Sequence, residues 1–199
     1  MLLVGQSAGA STYTITPGGA AVTVATTVSG ENATVAFTGT AGSRISLKMS
    51  GVTITQSYVS IKKPDGTALV APKLILTGGG FIDATALPVS GTYTILVDPQ
   101  STYTGSMTLS LYDVPPDVSG SITPGGPVVT VTTSTPGQNG ALTFAGSAGQ
   151  RVSMKLSAVS MTQAKVWIVR PDGTNLFTAV AVTNTGTFID VKSLSLTGT

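Results

Sequence analysis

The stretch Ala41-Gly42-Ser43-Arg44-Ile45-Ser46-Leu47-Lys48-Met49 places a turn directly before a strict alternation of apolar and polar residues. Successive side chains of a β-strand point to opposite faces, so Ile45, Leu47 and Met49 share one face of an extended chain. The alternation therefore predicts a half-buried strand whose apolar face lies in a core.

The composition favours strands throughout the chain. Only 9% of the 199 residues are charged, against roughly 25% in soluble domains. Thr, Val, Ile and Tyr favour strands, the 24 glycines and 11 prolines supply turns, and no segment has the helical period. The sequence therefore predicts an all-β protein.

An internal repeat sets the organisation. Thr16-Pro17-Gly18-Gly19 returns as Thr123-Pro124-Gly125-Gly126, and the offset of 123 − 16 = 107 residues holds without a gap to the end of the sequence. About 35 of the 77 aligned positions are identical, which indicates two copies of one domain. The alternating apolar positions recur with it: Val35, Phe37, Ile45, Leu47, Met49, Val59 and Ile61 match Leu142, Phe144, Val152, Met154, Leu156, Val166 and Ile168.

These patterns predict two tandem antiparallel β-sandwich domains of jelly-roll-like type, each with seven or eight short strands. Residues 1–15 are interpreted as a terminal strand stub and linker, and residues 16–114 as the first sandwich. Residues 115–122 are interpreted as a Pro-rich linker, and residues 123–199 as the second sandwich.

The second copy is predicted to lack its closing strands. The first copy continues past Gly91-Thr92 into two further apolar stripes at residues 93–97 and 105–112, whereas the second copy stops at Gly198-Thr199. At the same offset residues 1–15 lie over 108–122, so the N-terminal stretch is interpreted as the end of a closing strand. Leu2, Leu3 and Val4 are then a candidate donor strand for the incomplete domain.

Gly5-Gln6-Ser7-Ala8-Gly9 fits the G-x-S-x-G elbow of α/β-hydrolases, but the rest of the chain argues against a serine hydrolase. The elbow needs a helix after the serine and a later histidine, whereas the following Ser-Thr-Tyr-Thr-Ile is strand-like and the chain has no histidine. Without a base the Ser7 hydroxyl is a weak nucleophile. We therefore expect linker here.

Other chemistry is also expected to be absent. The chain has no cysteine or histidine and a single glutamate, Glu31, so we predict no catalytic, metal or cofactor site. Pro-Asp-Gly-Thr occurs at residues 64–67 and 171–174, where each residue suits a turn. The net charge of +2 is scattered, which argues against nucleic acid, and no apolar run approaches the ~20 residues of a membrane span.

The order of motifs resembles the bacterial pre-peptidase C-terminal domain. The resemblance lies in residues 33–37, Ala-Gly-Ser-Arg-Ile-Ser-Leu at 41–47, the strand leading to Lys-Pro-Asp-Gly-Thr, and Gly-Thr-Tyr-Thr-Ile-Leu-Val at 91–97. It covers about residues 30–112 and again 137–199. The resemblance implies a small β-sandwich with no catalytic residues, acting as an extracellular accessory or structural module.

Three functions remain open from the sequence. The first is a non-enzymatic structural or adhesive tandem-repeat module of an extracellular bacterial surface protein. The second is a self-assembling filament subunit, in which neighbouring copies of the chain donate strands to the incomplete second domain.

The third is a carbohydrate-binding accessory module. Trp167, the only tryptophan, lies between inward-facing neighbours and is predicted to point outward, where its ring could stack on a surface glycan. Tyr58 occupies the matching face of the first copy. The alternative for both side chains is cross-strand packing or an interdomain contact. Glycan binding that survives Trp167→Ala would refute the sugar-binding role.

Overall fold

The computed structural model describes residues 10–199, in which it contains strands and turns. The chain divides into two compact units, residues 10–117 with Thr133–Asn139 and Val118–Thr132 with Gly140–Thr199. The all-β prediction is confirmed, and no helix in the described part is long and apolar enough to span a membrane.

The first unit is a sandwich of two sheets. Its strands are β1 (Ser11–Thr14), β2 (Val22–Thr26), β3 (Ala33–Gly39), β4 (Arg44–Ser50), β5 (Gln56–Lys62), β6 (Ala68–Leu76), β7 (Gly80–Ala86), β8 (Gly91–Pro99) and β9 (Gly105–Asp113). The strand order is β1-β3-β8-β5-β6 in one sheet and β2-β9-β4-β7 in the other.

The core of the first unit lies between the two sheets and follows the predicted alternation. Ile45, Leu47 and Met49, on strand β4, are buried in it. Phe37 and Tyr93, on the paired strands β3 and β8, stack with ring centroids 5.3 Å apart and an interplanar angle of 16°. Apolar faces of both sheets are thus removed from water, which is the main force that holds the sandwich together.

Strand β1 pairs with β3 in parallel, from Ser11 opposite Ala33 to Thr14 opposite Ala36, while the other strand pairs of the first unit are antiparallel. The equivalent segment Val118–Ser121 forms strand β10 in the second unit. Strand β1 lies in the segment described above as strand-like, and strand β10 lies within residues 115–122, which were interpreted as a Pro-rich linker. The predicted domain limits themselves stay predictions.

The strands of the second unit are β10 (Val118–Ser121), β11 (Gly140–Thr143), β12 (Arg151–Leu156), β13 (Ala164–Val166), β14 (Val180–Val182) and β15 (Thr187–Ser193). They form three separate two-stranded sheets, β10-β11, β12-β15 and β13-β14. Only the β10-β11 sheet is parallel.

The Pro-Asp-Gly-Thr segments form the same turn in both units. Asp65 Oδ1 accepts hydrogen bonds from the Thr67 amide at 2.9 Å and the Thr67 hydroxyl at 2.7 Å. Asp172 does the same with Thr174, at 2.9 and 2.6 Å. The threonine hydroxyl holds the pKa of each aspartate below its ordinary value. The aspartate oxygens thus serve the turn itself.

Candidate functional site

Strands β8 and β9, which lie inside the two sheets of the first unit, have no counterpart among residues 118–199. In the first unit β8 lies between β3 and β5, and β9 lies between β2 and β4. At the 107-residue offset β11, β13 and β12 correspond to β3, β5 and β4, yet within residues 118–199 no strand lies beside them in the places of β8 and β9. We call the space bounded by β11, β12 and β13 the open groove.

Apolar side chains of the open groove are only partly covered. Phe144 is half-buried, whereas its counterpart Phe37 is 2% exposed. Met161 is 41% exposed, whereas its counterpart Ile54 is fully buried. The two units have closely similar apolar positions, so this difference in burial follows from the strands that cover them in the first unit.

One residue pair of the second unit corresponds to the first pair of the β3–β8 ladder in the first unit. Gly146 and Gly198 exchange two backbone hydrogen bonds of 2.9 Å, and they correspond to Gly39 and Gly91, the first pair between β3 and β8. The backbone at the start of the open groove is thus set in the register that β8 has in the first unit. A strand that continued this pair would run antiparallel to β11, as β8 runs antiparallel to β3.

The residues singled out from the sequence lie in different units. Trp167 follows β13 in the second unit and is 44% exposed, in agreement with its predicted outward direction. Tyr58 lies on β5 of the first unit, half-buried and opposite Asp98. Neither unit contains both rings, and a role for either in sugar binding stays a prediction. The candidate donor residues Leu2, Leu3 and Val4 lie outside the described residues.

A carboxylate that the sequence analysis left without a role closes the first turn of the sandwich. Glu31 Oε2 accepts hydrogen bonds from the amides of Thr27, at 2.6 Å, and Val28, at 3.1 Å, and Oε1 accepts one from the Ser11 hydroxyl. Glu31 therefore ties the start of β1 to the turn between β2 and β3. The Ser11 hydroxyl, followed by the two amides, holds the pKa of Glu31 below its ordinary value.

Gln138 takes the place of Glu31 in the second copy. Its Oε1 accepts hydrogen bonds from the Ser134 amide at 2.8 Å and the Ser134 hydroxyl at 3.2 Å, and its Nε2 donates to the Pro116 carbonyl at 2.8 Å. The signal in the sequence was the Gly-Glu-Asn of residues 30–32 against the Gly-Gln-Asn of residues 137–139. Both side chains offer an acceptor oxygen at the same offset from the turn amides.

The Glu31 contacts predict an acid-sensitive first unit. Because the folded pKa lies below the unfolded one, ionised Glu31 stabilises the fold above the unfolded pKa, near 4.5, and this contribution is lost as the pH falls through the folded pKa. We expect the urea midpoint of the first unit to fall below about pH 4.5. Glu31→Gln should flatten that fall, since Gln keeps an acceptor oxygen and does not titrate.

The midpoint can be followed by the near-ultraviolet circular dichroism of tyrosine, since all five tyrosines lie between residues 13 and 112. Asp172→Asn, in the corresponding turn aspartate of the second unit, is a control that should leave this pH profile unchanged. The same acid loss in the wild type and in Glu31→Gln would contradict the role given to Glu31.

The turn at residues 134–139 is part of the first unit, where it packs against β4. The Ser46 hydroxyl donates to the Pro136 carbonyl at 2.7 Å, and Asp117 pairs with Arg44 at 2.8 Å. Arg44 holds the pKa of Asp117 below its ordinary value. Ser46 is fully buried, whereas its counterpart Ser153 is exposed. The first unit is thus completed by a segment that belongs, by sequence, to the second repeat.

The described residues give no cluster of metal-ligating side chains: among residues 10–199, no three of His, Cys, Asp or Glu come together. The ionisable groups with a displaced pKa, Glu31, Asp65, Asp117 and Asp172, each bind turn amides or an arginine. These four carboxylates therefore hold turns and loops in place.

No protein-family model matches this chain, and no curated protein matches it. Among solved structures it is similar to PliG of Aeromonas hydrophila, a periplasmic lysozyme inhibitor of g-type lysozyme, with 17% identity and a TM-score of 0.36 over 51% of this chain and 98% of that one. It is also similar to a mutant of the PliG inhibitor from Escherichia coli, with 10% identity and a TM-score of 0.33 over 51% of this chain and 98% of that one.

A third similar structure is the pre-peptidase C-terminal domain of collagenase from Bacillus anthracis. It has 10% identity and a TM-score of 0.38 over 50% of this chain and 93% of that one. Each likeness is one of fold, over about half of this chain. A pre-peptidase C-terminal domain is thus among the solved structures to which this chain is similar.

Proposed function

We propose that the chain is a non-enzymatic structural or adhesive module of an extracellular bacterial surface protein, in which β-sandwich repeats in tandem act as spacers. The observation that supports this most directly is the path of the chain through the first unit. The chain begins β1 at one end of the sandwich and leaves β9 at the other. A repeat with this path can be joined end to end with further copies of itself.

Contacts at both ends of the first unit support this path. At the end that we call the lower end, the Ser11 amide donates to the Asn32 carbonyl at 3.0 Å. At the opposite or upper end, the Gly18 amide, which follows β1, donates to the carbonyl of Leu111, near the end of β9, at 2.8 Å. The start of β1 and the end of β9 therefore lie at opposite ends.

Surface labelling tests the proposed location. Antibodies raised against the purified chain should label intact cells of the bacterium that encodes it. Labelling that requires lysed cells would contradict an extracellular role.

Electron microscopy tests the spacer role. Proteins in which copies of the first repeat are joined in one chain should form particles whose length increases by an equal step for each added copy. Particles that stay globular would exclude the spacer role.

A second candidate function is strand acceptance, and the open groove favours it. Unpaired strand edges beside partly exposed apolar side chains form a template for an added strand. In the first unit the corresponding space is filled by the consecutive strands β8 and β9, residues 91–113, which lie in opposite sheets. We infer that the open groove accepts a two-strand segment of the same pattern, with one strand in each sheet, and that a neighbouring copy which supplied one would create a filament.

A synthetic peptide of residues 91–113 tests strand acceptance on the full chain. We expect it to bind, to raise the unfolding midpoint reported by Trp167 fluorescence in proportion to ln(1 + [peptide]/Kd), and to lower the binding of an apolar dye. A matched peptide with serine at the six inward positions should do neither. Those positions are Tyr93, Ile95, Val97, Met107, Leu109 and Leu111.

Equal behaviour of the two peptides would exclude a groove that is specific for the apolar faces of β8 and β9. Whether copies assemble through the groove is tested separately by light scattering over a wide range of concentration. Growth into large species that is abolished by deletion of residues 1–9, which leaves strand β1 in place, would support donation by Leu2, Leu3 and Val4. Growth that is unchanged by the deletion would exclude those residues as the donor.

A further inference from the structure

The first and last strands of the first unit run in the same direction along the sandwich. β1 is parallel to β3, and both start at the lower end, where the Ser11 amide binds the Asn32 carbonyl. β9 also starts there, because Gly105 pairs with Thr26, which directly precedes the turn that Glu31 ties to Ser11. β9 then ends at the upper end.

This arrangement determines how tension along the chain would act on the unit. A pull on the residues before β1 draws that strand out past the lower end, and a pull on the residues after β9 draws that strand out past the upper end. Each force is parallel to the strand on which it acts, so β1 is sheared against β3, and β9 is sheared against β2 and β4. Hydrogen bonds loaded in shear share the force and must break together, whereas bonds at the end of an unzipped pair break singly.

The two loaded strands are not held equally. β9 pairs on both sides, with five residue pairs to β2 and six to β4. β1 is an edge strand that pairs with β3 alone, over four residue pairs. The ladder is extended by the Ile15 amide, which donates to the Ala36 carbonyl at 3.0 Å. The β1–β3 ladder is therefore the weaker of the two sheared connections.

We propose that the first unit bears tension, and that the parallel β1–β3 ladder is the mechanical clamp that sets its resistance. This load-bearing role rests on the proposed structural function. The two are tested separately, because surface labelling measures where the chain is located, whereas a pulling experiment measures the force that the first unit withstands.

The same clamp recurs in the second unit. β10 pairs with β11 in parallel, from Val118 opposite Gly140 to Ser121 opposite Thr143. The Ile122 amide donates to the Thr143 carbonyl at 2.9 Å, as Ile15 does to Ala36. The four-residue parallel ladder is thus retained at the 107-residue offset even though the central strands are not.

The first test compares two directions of pulling on the same fold. The chain has no cysteine, so introduced cysteines provide unique attachment points for force-clamp measurements. One variant carries Ala10→Cys and Pro115→Cys and loads β1 and β9 along their axes. The other carries Gln56→Cys and Leu76→Cys, which face each other at the open end of the β5–β6 pair, and it unzips that pair.

At equal force we expect the second variant to rupture more than about tenfold faster than the first. A barrier that is lower by the free energy of two hydrogen bonds, which break one after the other in the unzipped pair, corresponds to a factor of about this size. Forced unfolding follows the unfolding rate, so the comparison requires no change in the clamp itself. Equal rates in the two directions would overturn the proposal.

The second test removes one rung of the clamp. In a parallel ladder that uses the Ser11 and Ile15 amides, the Tyr13 amide also faces β3, whereas the Thr12 amide faces away from it. Tyr13→Pro in the axially pulled chain removes a bonded donor, Tyr13→Ala removes only the side chain, and Thr12→Pro places the same ring where no ladder bond is lost.

We expect Tyr13→Pro to unfold about fivefold or more faster at fixed force than either control, the factor that one hydrogen bond represents. Tyrosine circular dichroism shows whether each variant is folded, and if Tyr13→Pro is not, the comparison of pulling directions decides alone. Equal rates for folded Tyr13→Pro and Thr12→Pro would overturn the assignment of the clamp.

Discussion

Phe37→Ala is expected to lower the unfolding free energy of the first unit by about 3–5 kcal/mol. The Phe37 ring is 2% exposed and stacks on Tyr93 from the central strand β8. Removal of the ring leaves a cavity that the two sheets cannot close without moving strands. Since whole domains are stable by about 5–15 kcal/mol, the loss should be plain in a urea or thermal transition followed through the tyrosines.

Phe144→Ala, 107 residues later, is the matched control for the second unit. Its ring is only half-buried, so its removal should cost about 1 kcal/mol, roughly half of what full burial of such a side chain contributes. Trp167 fluorescence reports this transition, since Trp167 is the only tryptophan. Equal losses for the two variants would contradict the conclusion that the open groove leaves Phe144 partly uncovered.

Gly79→Ala is expected to cost the first unit about 3 kcal/mol or more, from backbone strain and a steric clash together. Gly79 has a φ of +79°, and a Cβ built on it would lie 2.4 Å from the carbonyl oxygen of Met49. That oxygen belongs to strand β4 of the sheet, so it cannot move aside as a flexible side chain would. Alanine here must displace the junction of β6 and β7 from β4.

Gly66→Ala separates the two causes. Gly66 has nearly the same φ, +82°, yet a Cβ there meets nothing within 4 Å. We therefore expect it to lose only the cost of the left-handed backbone, about 1–2 kcal/mol. Urea denaturation followed through the tyrosines measures both variants. If Gly66→Ala were as destabilising as Gly79→Ala, the close approach to Met49 would play no part.

The sequence predicted much of the first unit because its evidence is local or repeated. The alternation in residues 45–49 predicted strand β4 and its buried face, and Pro-Asp-Gly-Thr predicted the turn that Asp65 closes. The outward direction of Trp167 followed from the same alternation. Each of these features depends on neighbours along the chain, and the 107-residue repeat showed each pattern twice.

The role of Glu31 was not predictable in the same way. Its partner Ser11 lies 20 residues away in the sequence, at the start of the strand-like segment Ser-Thr-Tyr-Thr-Ile. That segment is short and mostly polar, so it has no long apolar face that would indicate which strand it pairs with. Its strand forms because β3 offers an unpaired edge, which is visible only when the sheet is assembled.

The sequence by itself determined the all-β class, the repeat, the inward and outward faces of the strands and the turns between them, because periodicity and turn chemistry act over a few residues. Tertiary structure alone decided that β1 pairs in parallel with β3, and that the turn at residues 134–139 packs on β4. It also decided that the two closing strands, β8 and β9, each lie inside a different sheet. Those outcomes depend on which strand edges pair in the folded sandwich. Segments that are distant in the sequence compete for each edge, so the local sequence pattern does not indicate which of them pairs there.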